Sequence, residues 1–168
     1  AYHEGWGEAI YSGVFHSVSA FNNAGFGLLP DSAVQWAQDP WMCLPLMISV
    51  MVGGLGFPVW WELFRHWREP YRRWTIHATI TIWGSVVLWV VGTLLFAVVE
   101  WDNDRTLGPM GTGGKILAAA FQSVVARTAG FNSVDIGAVR QESLLLLDVL
   151  MFIGGGSAGT AGGIKVAT

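Results

Sequence analysis

Two long uncharged stretches and several short apolar stretches ending in glycine dominate the pattern of this chain. Residues 41–61 carry no charge, and residues 75–99 carry no formal charge and one histidine. About 20 residues cross the hydrocarbon core of a bilayer as a helix, so both stretches are predicted to span a membrane. A third apolar stretch, 143–153, contains Asp148 and leads into three glycines. It predicts half a span.

Tryptophans and charges at the ends of these stretches orient them in a bilayer. The loop 62–74 carries four arginines and is predicted to be cytoplasmic by the positive-inside rule. Glu100, Asp102 and Asp104 lie in the opposite, external loop, which is expected to be solvated. Tryptophan favours the membrane interface. The predicted interface tryptophans are Trp36, Trp41 and Trp101 on the external side and Trp60, Trp61, Trp67 and Trp74 on the cytoplasmic side.

A segment of the chain recurs after about 105 residues. Residues 15–26 and 121–131 share the pattern F-x-S-V-x-A followed by A-G-F. Each copy begins within a short apolar stretch, 9–21 or 115–126, which is too short to cross a bilayer and predicts a re-entrant half-helix. Each is followed by an apolar segment with a glycine cluster. This order indicates a duplicated structural unit.

The glycine turn after each half-helix indicates cation chemistry. A helix C-terminus has a partial negative charge, and backbone carbonyl oxygens can replace the hydration shell of an alkali ion. Irregular backbone at membrane depth must be buried or must line a watery cavity. An ordinary helix C-cap is the simpler interpretation of Gly25 or Gly130 taken alone. Two copies in matching context favour an ion-binding turn.

Composition supports a membrane protein and excludes several other classes. Hydrophobic residues make up 52% of the 168 residues and charged residues 12%, against about 25% charged in soluble domains. A net charge of −3 offers no basic surface for nucleic acid, and the single cysteine, Cys43, excludes a disulfide scaffold. A soluble protein with very apolar core helices is the less favoured alternative. The chain starts at Ala1 and is expected to be a fragment of a longer polypeptide.

Three motifs resemble the Trk/Ktr/HKT superfamily of potassium transporters: S-A-F-N-N-A-G-F at 19–26, A-R-T-A-G-F-N at 126–132 and G-G-G-S-A-G-T-A-G-G-I-K at 154–165. The resemblance implies an all-α membrane protein built from helix–pore-loop–helix units, with re-entrant half-helices and a broken gate helix. Residues 1–74 would belong to the second unit, with pore helix 9–21, filter 22–26 and transmembrane helix 41–63. Residues 75–168 would be the third unit, with transmembrane helix 75–99, external loop 100–114, pore helix 115–127, filter 128–132, broken helix 143–153 and gate loop 154–163.

The resemblance also implies the site residues. Gly25 and Gly130 would be the filter glycines, and the backbone carbonyls of Asn23, Ala24, Thr128 and Ala129 would bind the potassium ion beside them. Lys165 would resume the helix after the gate loop and oppose cations near the inner mouth. The gate residues implied are Gly154, Gly155, Gly156, Ser157, Gly159, Thr160, Gly162, Gly163 and Lys165.

The function expected from the resemblance is potassium uptake across the cell membrane, without enzymatic activity or an organic cofactor. The expected partners are lipid, the remaining pore units, a second copy in a homodimer and a cytoplasmic nucleotide-binding regulatory subunit. A secondary transporter with broken helices and a midplane ion site is an alternative, as is a sodium-selective member of the same family.

Four further residues have open or structural roles. Arg127 is expected to form a structural ion pair. Asp148 either lines the cavity or pairs with a cationic side chain, or makes an interhelical hydrogen bond. His16 and His77, like the other two histidines, show no spacing typical of metal ligands and are predicted to be structural.

Overall fold

A computed structural model describes residues 5–28, 33–66 and 74–166. The regular elements in these ranges are all helical, which confirms the predicted all-α class. The six α-helices are α1 (Trp6–Phe21), α2 (Pro40–Leu55), α3 (Phe57–Arg65), α4 (Ile76–Glu100), α5 (Thr112–Val125) and α6 (Gln141–Phe152). Short 3-10 turns cover Val34–Trp36 and Ile136–Ala138.

The two short helices of the repeat occupy equivalent places, and each starts about three residues before its predicted N-terminus. Extended residues Gly5 and Gly111 precede α1 and α5. Helix α1 ends in a Schellman motif. In it, Asn23 N–H donates to Ala20 O and Ala24 N–H donates to Ser19 O, at 3.1 and 2.9 Å. Asn23 has a φ of +50° and takes the left-handed cap position, so Gly25 is not the C-cap of this helix.

Helix α4 corresponds to the predicted span 75–99. The Thr75 hydroxyl caps it by accepting a hydrogen bond from Ala78 N–H at 3.2 Å, and it runs unbroken for 25 residues. Within the described residues it is the one single helix long and apolar enough to cross a membrane. Of the predicted cytoplasmic loop 62–74, residues 67–73 lie outside the described ranges.

The predicted single helix 41–63 is wrong in one respect, because α2 and α3 meet at an angle of 93°. The bend lies at Gly56, whose φ of +89° ends α2. Pro58 then lies in the first turn of α3, where proline is favoured. The Trp60 indole donates to Val52 O at 2.8 Å across the bend and fixes its angle. Trp60 therefore fastens two helices together rather than simply marking an interface.

Helix α5 is the centre of the packing. On one side, Phe121, Val124 and Val125 form a buried core with residues of α1 and α2. On the other side, Ala118 and Ala119 pack with residues of α4 and α6, among them Phe96 and Leu147. Small residues on one face and large residues on the other let α5 share buried clusters with four other helices.

The expectation of a solvated loop is wrong for Glu100, which is fully buried at the end of α4. Its carboxylate accepts hydrogen bonds from the hydroxyls of Thr106 and Ser143, at 2.6 and 2.5 Å. It also accepts from Asn103 Nδ2 at 2.6 Å and from Arg140 N–H at 2.8 Å. Four donors from two segments, residues 103–106 and 140–143, therefore converge on one carboxylate, which ties α4 to the start of α6. Asp102 and Asp104 are exposed, as expected.

Replacing Glu100 tests whether its hydrogen bonds stabilise the contact between α4 and the start of α6. Glu100→Ala leaves four donors without their acceptor, and we expect it to lower the free energy of unfolding by about 2–4 kcal/mol. Thermal unfolding of the full-length protein in detergent measures the effect. Asp102→Ala removes an exposed carboxylate and is the matched control. Equal unfolding temperatures for the two variants would contradict the role assigned to Glu100.

Candidate functional site

The two glycine turns of the repeat lie directly against each other. A Cβ atom on Gly25 would lie 2.6 Å from Ala129 O and 2.7 Å from the Cα of Gly130. A Cβ atom on Gly130 would lie 3.1 Å from the Cα of Gly25. The fold therefore brings both predicted filter strands together and leaves no room for a side chain at either glycine.

Both turns share the same alternation of backbone conformation. Asn23 and Gly25 have φ values of +50° and +72°, and Thr128 and Gly130 have values of +73° and +77°, whereas the alanine between each pair keeps a negative φ. A left-handed threonine is a true conformational outlier, and such strain persists only where the surroundings enforce it. The two copies of the repeat therefore share the same sign of φ at each of these three positions.

The loop 154–163 supplies contacts that hold these strained residues. Asn23 Nδ2 donates to Thr160 Oγ1 at 2.7 Å, and Thr160 Oγ1 donates to Phe21 O at 3.0 Å. Thr128 Oγ1 accepts from Gly162 N–H at 2.8 Å. Asn23 and Thr128, which are equivalent in the two turns, therefore bind the same loop at positions two residues apart, Thr160 and Gly162.

The same loop also provides hydrogen-bond donors for carbonyl groups at the end of α2. Gly156 N–H donates to Gly54 O at 2.8 Å, and Thr160 N–H donates to Gly53 O at 3.2 Å. The last carbonyls of a helix have no partner within the helix, so the loop completes α2. This docking needs close backbone approach, because a Cβ on Gly156 would collide with Leu55 O. The glycine clusters of the two repeats therefore pack backbone to backbone, and α2 breaks where they meet.

The two ends of the loop are joined to each other. Gly154 N–H donates to Ile164 O at 2.9 Å, and Ile164 N–H donates to Phe152 O at 3.0 Å. The helix predicted to resume at Lys165 falls mostly outside the described ranges, which end at residue 166. The Lys165 Nζ donates to Ala161 O at 2.5 Å, so its charge lies against the loop.

The ion pair predicted for Arg127 is not formed with any of the described residues. Arg127 is 4% exposed, and its guanidinium donates to the carbonyls of Gly154 and Ile153 at the end of α6. It also lies 5.7 Å from the ring centroid of Trp89. The one contact at salt-bridge distance among the described residues is between His66 Nδ1 and Glu62 Oε1, which lie 3.6 Å apart. Unpaired carbonyls at a helix end attract a cation, so they take the place of a carboxylate.

Asp148 lies on the exposed side of α6 and lines a groove of about 310 Å3. The groove follows the second turn, with Thr128, Gly130 and Phe131 in its wall, and is otherwise mostly apolar. This position agrees with the cavity-lining role considered for Asp148.

The described residues contain no cluster of three or more His, Cys, Asp or Glu that could hold a metal ion. His3 lies outside the described ranges.

His16 is buried beside the first turn, where its Nε2 accepts a hydrogen bond from Leu28 N–H at 3.4 Å. Its contact with the strand was not predicted from the sequence, although it occupies the same repeat position as Gln122.

Known proteins show extensive similarity to this chain. "Ktr system potassium uptake protein B" of Vibrio alginolyticus is 48% identical over 98% of the chain, and the protein of the same name from Bacillus subtilis is 38% identical over 98%. "Potassium/sodium uptake protein NtpJ" of Enterococcus hirae is 35% identical over 98%. The chain spans 36% of the length of each of these relatives.

A solved structure shares the fold. The crystal structure of the potassium transporter TrkH from Vibrio parahaemolyticus aligns over 93% of this chain and 32% of its own, with a TM-score of 0.70 and 22% identity. The sequence model of the TrkH family, which is described as "Cation transport protein", matches residues 2–168. These findings confirm the Trk/Ktr resemblance, agree with the predicted cell-membrane location and argue against an enzyme. The chain belongs to the TrkH family of cation transport proteins.

Proposed function

We propose that this chain lines part of a potassium uptake pathway, with 22–26 and 128–132 as two of its filter strands. The adjacency of Gly25 and Gly130, with the same alternation of φ in both turns, carries the proposal. In an extended strand, successive carbonyls point to opposite sides. A change in the sign of φ at every second residue brings them to one side, where they can replace the water around an alkali ion.

The two short helices add a favourable field to this site. Helices α1 and α5 end at Phe21 and Val125, directly before the two strands. Each helix C-terminus carries about half a negative charge. Two such ends beside the strands favour a cation over an anion. The filter residues Asn23, Ala24, Thr128 and Ala129 supply backbone oxygens rather than charged groups, which suits a monovalent ion that must also leave.

The loop 154–163 is proposed as the gate. Its hydrogen bonds reach both strands through Thr160 and Gly162, so the closed loop lies against the ends of the filter. Its glycines disfavour a helix, and its Thr160 hydroxyl pairs with Phe21 O at the end of α1. A movement that releases these few bonds would clear the path without unfolding a packed helix.

The names of the relatives favour potassium, and one of them also names sodium. A sodium-conducting pathway of the same fold is therefore the second candidate. Both repeats run in the same order of short helix, turn and broken helix, which favours a pore over a secondary transporter with inverted repeats. The remaining pore units, a homodimer and a nucleotide-binding regulatory subunit belong to this proposal through the family resemblance.

Gly130→Ser tests the filter assignment. A side chain at this position must adopt a left-handed conformation and displace Gly25, so we expect the potassium-to-sodium uptake ratio to fall about tenfold. Uptake of each ion by the full-length protein in membrane vesicles provides the measurement. Gly113→Ser is the matched control, because a Cβ atom there meets nothing within 4 Å. An unchanged ratio in correctly inserted Gly130→Ser protein would count against the filter.

Thr160→Val tests the gate. The variant keeps the shape of the side chain but loses its bonds to Asn23 and to Phe21 O, so the closed loop is less stable by about 1–3 kcal/mol. We expect several-fold faster potassium uptake. Thr79→Val is the control, since the Thr79 hydroxyl bonds only to Thr75 O of its own helix region. Uptake equal to or slower than that of the control variant would rule out a gating role for this contact.

A further inference from the structure

His16 and Gln122 occupy the same position in the two repeats. Each follows a phenylalanine and precedes Ser-Val in its copy of the motif. Both are on the buried side of a short helix, with exposed fractions of 6% and 2%. A polar side chain at a buried position normally has a defined hydrogen-bond partner.

The two side chains have equivalent partners. His16 Nε2 accepts a hydrogen bond from Leu28 N–H at 3.4 Å, and Gln122 Oε1 accepts one from Ser133 N–H at 3.1 Å. Leu28 and Ser133 each lie three residues after the glycine of their turn. A helix side chain therefore holds the same backbone N–H at the far end of each strand.

The second half of the arrangement also repeats. His16 Nδ1 lies 2.8 Å from Ser12 O. A carbonyl oxygen only accepts, so Nδ1 carries the hydrogen and Nε2 is free to accept from Leu28. In the other repeat, the carbonyl four residues before Gln122, Ala118 O, takes its hydrogen bond from the Ser133 hydroxyl at 2.9 Å. The His16 ring thus both donates to the carbonyl of Ser12 and accepts from the strand N–H of Leu28. In the other repeat these two hydrogen bonds are divided between the Ser133 hydroxyl, which donates to Ala118 O, and Gln122, which accepts from the strand.

We propose that His16 and Gln122 are equivalent positioning residues, each holding the far end of its filter strand by the backbone N–H three residues after the filter glycine. This inference rests on the proposed function, because it assumes that the two strands bind the transported ion. Carbonyls replace the water of potassium effectively only when their spacing is maintained. A strand released at its far end can adapt to other ions, so discrimination falls.

The experiment compares potassium and sodium uptake by the full-length protein in lipid vesicles. The variants are His16→Gln, which restores the acceptor found in the other repeat, and His16→Leu, which removes it. His77→Gln is the control, because His77 lies on α4 in a separate groove with Glu62.

We expect His16→Leu to lower the potassium-to-sodium uptake ratio about fivefold, as for the loss of one hydrogen bond. His16→Gln restores the acceptor and should keep the wild-type ratio, as should His77→Gln. A ratio in His16→Gln as low as that expected for His16→Leu would overturn the inference, as would a wild-type ratio in correctly inserted His16→Leu protein. The comparison of wild type with His16→Gln decides the matter even where His16→Leu fails to insert, because a changed ratio in His16→Gln alone contradicts the equivalence of the two acceptors. Cation uptake absent from the wild type would instead overturn the proposed function.

Discussion

The docking of the 154–163 loop against the broken end of α2 is the interaction on which the rest of the structure depends. A backbone group left unpaired at membrane depth costs several kcal/mol, so a helix can break there only where other groups complete it. The loop provides that completion through Gly156 N–H and Thr160 N–H, while Arg127 completes the end of α6. Two helices thus end inside the molecule without an unpaired carbonyl at these positions.

The same loop holds the conformation of the two strands. Asn23 and Thr128 have left-handed backbones, and each binds the loop through its side chain. The strained geometry at the candidate filter and the position of the candidate gate are therefore physically linked. Helix α5 provides the rigid support for this arrangement, since its two buried faces join the cores on either side. Glu100 fastens the C-terminal end of α4 to the start of α6.

Much of this architecture could be predicted from the sequence because its signals are local. The short helices, the glycine turns and the span of α4 each follow from the composition of a single stretch. The break at Gly56 could not be predicted in this way, because hydropathy is continuous across 41–63 and the cause lies in residues 154–160. The environments of Arg127 and Glu100 could not be predicted for a related reason. Arg127 binds carbonyls more than 25 residues away, and two of the four donors to Glu100 lie at residues 140 and 143. For His16, the one signal in the sequence is its place in the repeat, because the polar residue Gln122 occupies the equivalent position in the second copy.

The most direct test of the central claim is uptake of potassium and of sodium, at equal concentration, by the full-length protein in membrane vesicles. The claim is that the paired turns at Gly25 and Gly130 form part of a potassium-selective path. The account predicts uptake that prefers potassium over sodium. Uptake that prefers sodium, or no uptake of either ion by correctly inserted protein, would contradict it.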